Sequence, residues 1–325
     1  LQNYFYNMRI IGTGSALPKF VATNQMLSEV MDTSDEWIST RTGIKRRHLL
    51  VNQELEEIGV EAIENALKDA GITAKDLDYI ICSNTVNEFI TPGLGCVLQG
   101  HIGATCPSID INAACAGFLY GMQIAESFIK TGVAKKILIV AAEEPSRIPT
   151  WTDRSTSVLF GDGAGAVVVS ADGDDVLAMR STTTSAPIVL YSKRAMEKTP
   201  FVGEIEGNVP LVMNGREVFR MAVSNSQDDI KAVMEDANIT SNQVKYFVLH
   251  QANIRIIEAI RHFLDEPEEK FPTTIENTGN MSSACIPILL DRLNKEGKLS
   301  KNDILVFSAF GAGFQTSACV VRWNK

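Results

Sequence analysis

A weak internal duplication constrains this chain more than any other feature. The segment AIENALKDAGITAKDLDYIICSN (62–84) lies over DIKAVMEDANITSNQVKYFVLHQ (229–251) at an offset of 167, with Ile63/Ile230, Asp69/Asp236, Ala70/Ala237, Ile72/Ile239, Thr73/Thr240 and Tyr79/Tyr246 identical. Each copy reads as an amphipathic helix, a cap at Gly71 or Asn238, and a buried apolar strand, YIIC or YFVL. The same offset of 167 places ILIVAA (137–142) over ILVFSA (304–309), which implies no insertion between the two matches. Beyond those strands the first copy carries AEEPSRIPTWTDRST before GDGAGAVVVS (161–170), while the second passes directly to GAGFQTSACVV (311–321). A loop has been added to one copy. Two α/β halves, taken as 8–175 and 176–325, predict mainly parallel sheets whose helices pack together into one layered body.

The 325 residues, 45% hydrophobic, can bury a core of that size. A formal charge of −9 argues against a nucleic-acid footprint, which needs clustered Lys and Arg, so any basic patch is local. No apolar run reaches the roughly 20 residues that span a bilayer, and LQNYFYN lacks the layout of a signal peptide. A cytoplasmic protein with no membrane partner is expected. The six cysteines show no CxxC spacing and the four histidines no metal-ligand spacing, so neither a disulfide framework nor a metal site is signalled.

Between the repeated strands each half has a small-residue segment opening a helix, INAACAGFLYGMQIAESF (111–128) and NTGNMSSACIPILLDRL (277–293). The offset sets Cys115 opposite Ser282 and brings Cys115 and Asn280 to facing helix starts across a pseudo-twofold axis. Unsatisfied N–H groups and the helix dipole at such a start favour thiolate over thiol. A buried structural cysteine is the ordinary reading, kept for the other five; the small neighbours of Cys115 leave room for a substrate. His250 ends the strand YFVL, at the carboxyl edge where parallel α/β folds build their sites. Three other motifs carry no chemistry. GTGSAL (12–17) lacks the third glycine of a dinucleotide fingerprint and reads as strand-to-loop punctuation, GDGAG (161–165) lacks the Lys-Ser/Thr of a P-loop and reads as a tight turn, and no GxSxG occurs.

With these residues in view, the chain resembles the type III β-ketoacyl-acyl carrier protein synthases, condensing enzymes of the thiolase fold. The resemblance runs from about Met8 to Trp323 through TSDEWISTRTGI (33–44), AACAGF (113–118), TDRSTSVLFGDGAGA (152–166), NGREVF (214–219), HQANIR (250–255), NTGNMSSA (277–284) and AFGAGF (309–314). It implies a layered αβαβα fold of two duplicated halves and a Cys-His-Asn triad at Cys115, His250 and Asn280. It further implies an oxyanion hole from the backbone N–H groups of Cys115 and Ala312. Acyl-CoA contacts are implied at Trp37, Arg41, Thr42, Arg154 and Asn253, where aromatic and guanidinium faces suit adenine and arginine suits phosphate. An acidic acyl carrier protein would meet Arg220 and Arg255, with Arg261 as a third candidate. Thr91 falls where many members set an aromatic residue against the acyl pocket, and a homodimer is implied because that pocket borrows from the partner. Two departures stand out: Arg216 replaces a smaller polar residue at the tunnel mouth, and Ala312 replaces a glycine, which an N–H contact tolerates.

The chemistry so implied is ping-pong. Cys115 takes an acyl group from CoA, then a malonyl carrier decarboxylates to an enolate that attacks it, without metal or cofactor. The rival readings are a simple acyltransferase or thioesterase on the same Cys and His, a degradative thiolase, disfavoured because no second-half Cys-x-Gly occurs, and a non-catalytic binding paralogue.

Overall fold

The computed structural model describes residues 7–193, 200–201, 207 and 209–325. In the first half the strands are β1 (Asn7–Ala16), β2 (Phe20–Thr23), β3 (Arg46–Leu49), β4 (Tyr79–Ser83), β5 (Ser108–Ile111), β6 (Lys136–Glu143) and β7 (Gly163–Gly173). The helices among them are α1 (Asn24–Ser28), α2 (Asp35–Thr42), α3 (Leu55–Ala70), α4 (Leu94–His101) and α5 (Gly117–Lys130). The second half holds β8 (Val176–Thr183), β9 (Leu190–Lys193), β10 (Val209–Met213), β11 (Val244–Leu249), β12 (Ile304–Gly311) and β13 (Gln315–Arg322). Its helices are α6 (Gly215–Asp236), α7 (Ile254–Leu264), α8 (Ile275–Thr278) and α9 (Cys285–Lys295).

Two main sheets result, ordered β1-β7-β6-β4-β5 and β8-β13-β12-β11. They correspond strand for strand, apart from β5. Both are mixed: β4 is parallel to β5 and β6, and β11 to β12, while β7 and β13 run antiparallel to both their neighbours. The expectation of mainly parallel sheets is therefore corrected. Each half closes by a chain reversal after its last parallel strand, and the resulting pair needs no crossover helix.

The alternation of side chains along the strands explains the layers. Ile137, Ile139 and Ala141 of β6 and Leu305, Phe307 and Ala309 of β12 all face a central core that also contains Phe118, Leu119 and Met122 of α5 and Leu289, Leu290 and Leu293 of α9. On the opposite faces, Leu138 and Val140 pack under α3 and α4, and Val306 and Phe310 under α6 and α7. Helices α5 and α9 thus lie between two sheets, which is why Cys285–Leu290 are buried without a polar stripe. The order is helix, sheet, helix, sheet, helix.

That facing also corrects the repeat. Both halves share a Thr-based capping box, at Thr73 and Thr240, 167 residues apart. Yet the 3-10 turns Ala114–Ala116 and Ser282–Ala284 are 168 apart, as are the positive-φ residues Ala114 and Ser282 that begin them. In the strands Tyr79 pairs with Ile137 and Tyr246 with Leu305, again 168 apart. The second half is one residue longer between β11 and the Ser282–Ala284 turn than the first is between β4 and the Ala114–Ala116 turn, so the expectation of no insertion fails. A slip of one residue would turn every β12 side chain to the wrong face; letter identity at 137 and 304 was the weaker guide.

The two set-aside glycine motifs belong to strands. GTGSAL closes β1, with Leu17 just beyond its end, and a Cβ at Gly14 would run into the Ala62 carbonyl of α3, so the glycine is needed for close packing as well. GDGAG leads directly into β7 rather than forming a tight turn. Its Asp162 is buried and accepts hydrogen bonds from Leu50 N at 2.9 Å and from Ser146 N and Oγ at 3.1 and 2.8 Å.

Candidate active site

The corrected equivalence pairs Cys115 with Ser283, not Ser282, and Asn280 with Asn112. Both asparagines make the same local turn, Asn112 Oδ1 accepting from Ala114 N at 3.1 Å and Asn280 Oδ1 from Ser282 N at 2.9 Å. Cys115 occupies the 3-10 turn that opens α5, and Asn280 stands just before the turn that opens α9. Gly311, at the end of β12, allows that turn to press against the strand. A Cβ there would lie 2.7 Å from Cys115 N. Ala312 follows Gly311 and lines the same cavity as Cys115.

Cys115, His250, Asn280 and Ala312 line one cavity of about 580 Å³. Trp37, Arg41, Thr42, Arg154, Asn253 and Arg255 line its outer part together with Arg216. Residues far apart in sequence are thus gathered by both halves and by the loop added to the first.

Burial governs the ionisation of the reacting groups. It pushes the Cys115 thiol up to about 12, against a lowering contribution from the Ser282 hydroxyl. The expectation that a helix start favours thiolate at Cys115 meets an opposing effect, because desolvation in a dry site favours the thiol. His250 is 2% exposed and desolvation lowers it to about 3, so its ring is neutral. Its edge meets Phe310 with centroids 5.2 Å apart, and neither ring nitrogen has a hydrogen-bond partner among the described residues. His250 lines the cavity with neither nitrogen engaged by a described protein group.

Asn280 is held by its backbone, its N–H donating to Leu159 O at 2.8 Å and its carbonyl accepting from Gly161 N at 3.1 Å. With Oδ1 occupied by Ser282 N, the side-chain NH₂ is the group left for a ligand. Segment 158–161 is in turn tied down by Arg47, a wholly buried guanidinium that donates to Val158 O at 2.9 Å and Asn24 Oδ1 at 2.8 Å. Burial lowers Arg47 only to about 10, so it stays charged. Sequence reasoning placed nothing on Arg47.

At the mouth, the guanidinium carbons of Arg41 and Arg154 lie 4.7 and 4.9 Å from the Trp37 ring centroid. Arg154 also donates to Asp32 O at 2.6 Å. Two expected contact residues have internal duties. Thr42 Oγ1 donates to Ile38 O at 2.7 Å and accepts from Ile44 N at 3.0 Å, and Asn253 caps α7 through Arg255 N at 2.9 Å while donating to Arg41 O at 3.1 Å. Of the expected carrier contacts, Arg255 begins α7 at the cavity rim with no carboxylate partner among the described residues. Arg220 is outside the cavity lining and paired with Glu217 at 2.9 Å, and Arg261 is paired with Glu258 at 2.7 Å. Thr91 is not brought to the cavity of its own chain; it lies exposed in the loop before α4, beside exposed Phe89 and Ile90.

Glu143, at the end of β6, was also missed. It is fully buried behind Cys115, within the Ser282 and Ser283 turn. The signal was available: one acidic residue closing the otherwise apolar run ILIVAAE.

Comparisons with known proteins give the family and the fold. Residues 109–186 match the family profile described as 3-oxoacyl-[acyl-carrier-protein (ACP)] synthase III, and residues 234–323 match its C-terminal profile. A beta-ketoacyl-[acyl-carrier-protein] synthase III of Geobacillus kaustophilus is 41% identical over 320 residues, 97% of this chain and 99% of that protein. One of the same name from Vesicomyosocius okutanii is 40% identical over 97% of this chain and 98% of its own. The crystal structure of 3-oxoacyl-[acyl-carrier-protein] synthase III from Aquifex aeolicus VF5 superposes with a TM-score of 0.91 at 39% identity, covering 97% of this chain and 100% of that one. A priming β-ketosynthase from the R1128 polyketide biosynthetic pathway gives a TM-score of 0.91 at 32% identity, over 98% and 97%.

Proposed function

Because the chain belongs to the 3-oxoacyl-[acyl-carrier-protein] synthase III family, we propose that it condenses an acyl-CoA primer with malonyl-acyl carrier protein, releasing CO₂ and a 3-oxoacyl-acyl carrier protein and so initiating fatty-acid synthesis. It is an acyl-transferring condensing enzyme of the thiolase fold. The observation that carries the reading is the convergence of Cys115, His250, Asn280 and Ala312 from both halves on one cavity whose mouth bears Trp37 and four arginines.

In the first half-reaction the Cys115 sulfur bonds to the thioester carbonyl carbon, the carbon–sulfur bond to CoA breaks, and CoA leaves with the thiol proton. The Cys115 and Ala312 N–H groups hold the transient oxyanion. In the second, loss of CO₂ from the malonyl group makes an enolate whose oxygen accepts from His250 and the Asn280 NH₂. The enolate carbon then bonds to the acyl carbon and the Cys115 sulfur departs. A buried neutral imidazole suits this task, since it donates a hydrogen bond without carrying charge into a dry site. No metal or cofactor takes part.

For acyl-CoA, the guanidinium-flanked Trp37 supports a nucleotide site in which adenine takes the place of one arginine on the indole, with Arg41 and Arg154 near its phosphates. Thr42 and Asn253 belong to it by shaping α2 and α7. Arg255 and Arg220 are assigned to the acidic carrier. The enzyme works as a cytoplasmic homodimer; among the described residues no helix is long and apolar enough to cross a membrane.

A panel of acyl-CoAs with malonyl-acyl carrier protein, with product identification and CO₂ measurement, tests the reading. The expected result is a 3-oxoacyl product and acyl mass mapped to Cys115 alone. Acyl transfer or hydrolysis without CO₂ release would identify an acyltransferase or thioesterase, and absence of any acyl-enzyme would identify a binding subunit.

A further inference from the structure

Applying the two-half equivalence to the site itself exposes a second constellation. Strand β4 ends at Ser83 where β11 is followed by His250; Ser283 matches Cys115, Asn112 matches Asn280, and Glu143 matches Gly311. Glycine at 311 is demanded by the nearby Cys115 amide. The side chain of its counterpart, Glu143, instead reaches across the pseudo-axis into the active turn. It accepts from Ser282 Oγ at 3.0 Å, Ser283 Oγ at 2.5 Å and Ser283 N at 3.4 Å, and from Thr85 N and Oγ1 at 2.9 and 3.2 Å. Ser83 completes the cluster by donating to Ser283 Oγ at 2.8 Å. The ionisable groups coupled to Glu143 are thiols: Cys82 from β4, Cys115 from the 3-10 turn and Cys285 from α9. No Lys, Arg or His hydrogen-bonds or ion-pairs with its carboxyl among the described residues. A buried carboxylate without a counter-cation among the described residues, bonded to a serine that lines the same cavity as the nucleophile, is a costly arrangement to keep for packing alone.

We propose that Glu143 is a positioning residue for the nucleophile: its charge decides whether the Ser282 hydroxyl accepts a hydrogen bond from the Cys115 thiol or donates one to the Cys115 thiolate. A serine hydroxyl has a single proton to give. While Glu143 is ionised, that proton is committed to the carboxylate, so Ser282 can only accept from S–H, and the negative charge further disfavours a thiolate. When Glu143 is protonated, both constraints are lifted; Ser282 turns its proton to sulfur. Burial raises Glu143 to about 7, which makes both states accessible near neutrality, whereas His250 is too weakly basic to supply an imidazolium for the thiolate. Above that pH the pair holds one proton, and moving it from sulfur through Ser282 to Glu143 leaves the total charge of the pair unchanged. The nucleophile is thereby made available without bringing a new charge into the cavity.

The inference rests on Cys115 being the nucleophile, but its test needs no acyl substrate, so it fails or stands apart from the condensation reaction. The rate of Cys115 alkylation by iodoacetamide, mapped to its peptide, is measured from pH 5.5 to 9.5. In the wild-type enzyme the rate is expected to climb about tenfold per pH unit below about 7, flatten as Glu143 ionises, and then resume climbing. Glu143→Gln should give a single straight climb, Glu143→Asp should restore the break, and Ser282→Ala, which leaves Glu143 bonded to Ser283 and Thr85, should make it shallower. A straight wild-type profile, or a break that survives in Glu143→Gln, overturns the proposal. Should Glu143→Gln fail to fold, a Ser282→Ala break as deep as that of the wild type overturns it equally.

Discussion

In the proposed reaction Cys115, His250 and Asn280 divide the work by what each can offer. Cys115→Ala should abolish acyl-enzyme formation while leaving malonyl decarboxylation measurable, because the enolate donors remain. His250→Ala and Asn280→Ala should still acylate Cys115 to some extent but slow CO₂ release on the order of 10²-fold, the usual loss when one preorganised donor to a developing oxyanion is removed. Intact mass and labelled CO₂ follow the two activities separately; an Asn280→Ala enzyme that decarboxylates normally yet cannot be acylated would reverse the assignment. Glu143 also has a thermodynamic signature. Its folded value of about 7 lies above its ordinary 4.5, so the folded state keeps a proton that the unfolded state loses between those limits. Its contribution to stability is full below 4.5 and is lost as pH rises through 7. The change in Tm between pH 5 and pH 8 should therefore be more favourable to the alkaline side in Glu143→Gln than in the wild type, and an identical change in both would exclude the buried ionisation.

At the scale of elements, the segment between β6 and β7 and the helices at the rim set access to the reacting groups. Arg47 pins that segment from β3, and Asn280 hangs on it through Leu159 and Gly161. Arg47→Met leaves buried carbonyl and amide oxygens without donors, a destabilisation of roughly 2–4 kcal/mol. In the folded fraction, decarboxylation should suffer more than acylation, because Asn280 rather than Cys115 loses its support. Equal losses in both activities would show a general defect. On the rim, α6 and α7 present Arg220 and Arg255 differently, the first neutralised by Glu217 and the second without a carboxylate partner among the described residues. Arg255→Glu should raise the KM for malonyl-acyl carrier protein much more than that for acyl-CoA, with the effect fading in salt, and Arg220→Glu should do less. Parity between the two substrates would assign Arg255 to the nucleotide instead.

For the whole molecule, the placement of Thr91 bears on assembly. In one chain it is exposed, outside the cavity and next to exposed Phe89 and Ile90. A role in acyl selection therefore requires that a second copy receive this loop. Thr91→Phe should lower turnover of longer or branched acyl-CoAs relative to acetyl-CoA, and sedimentation should show a dimer. An unchanged ratio removes Thr91 from the pocket, and a monomer that retains full activity removes the borrowed pocket altogether.

By itself the sequence determined the layered duplicated architecture and singled out Cys115, His250 and Asn280, because both leave periodic or local marks. Strands YIIC and YFVL and helix caps at Gly71 and Asn238 declare themselves by apolar run and backbone conformation, and Cys115, His250 and Asn280 each sit where a strand ends or a helix begins. Only the tertiary structure decided the rest. The true offset of 168 past the turn depends on which face each strand side chain buries, not on matching letters. The protonated state of Cys115 depends on desolvation by residues from both halves, and the counterpart relation between Glu143 and Gly311 on two strand ends 168 residues apart in sequence. Such properties belong to the space enclosed by distant segments, and a local pattern has no means of encoding them.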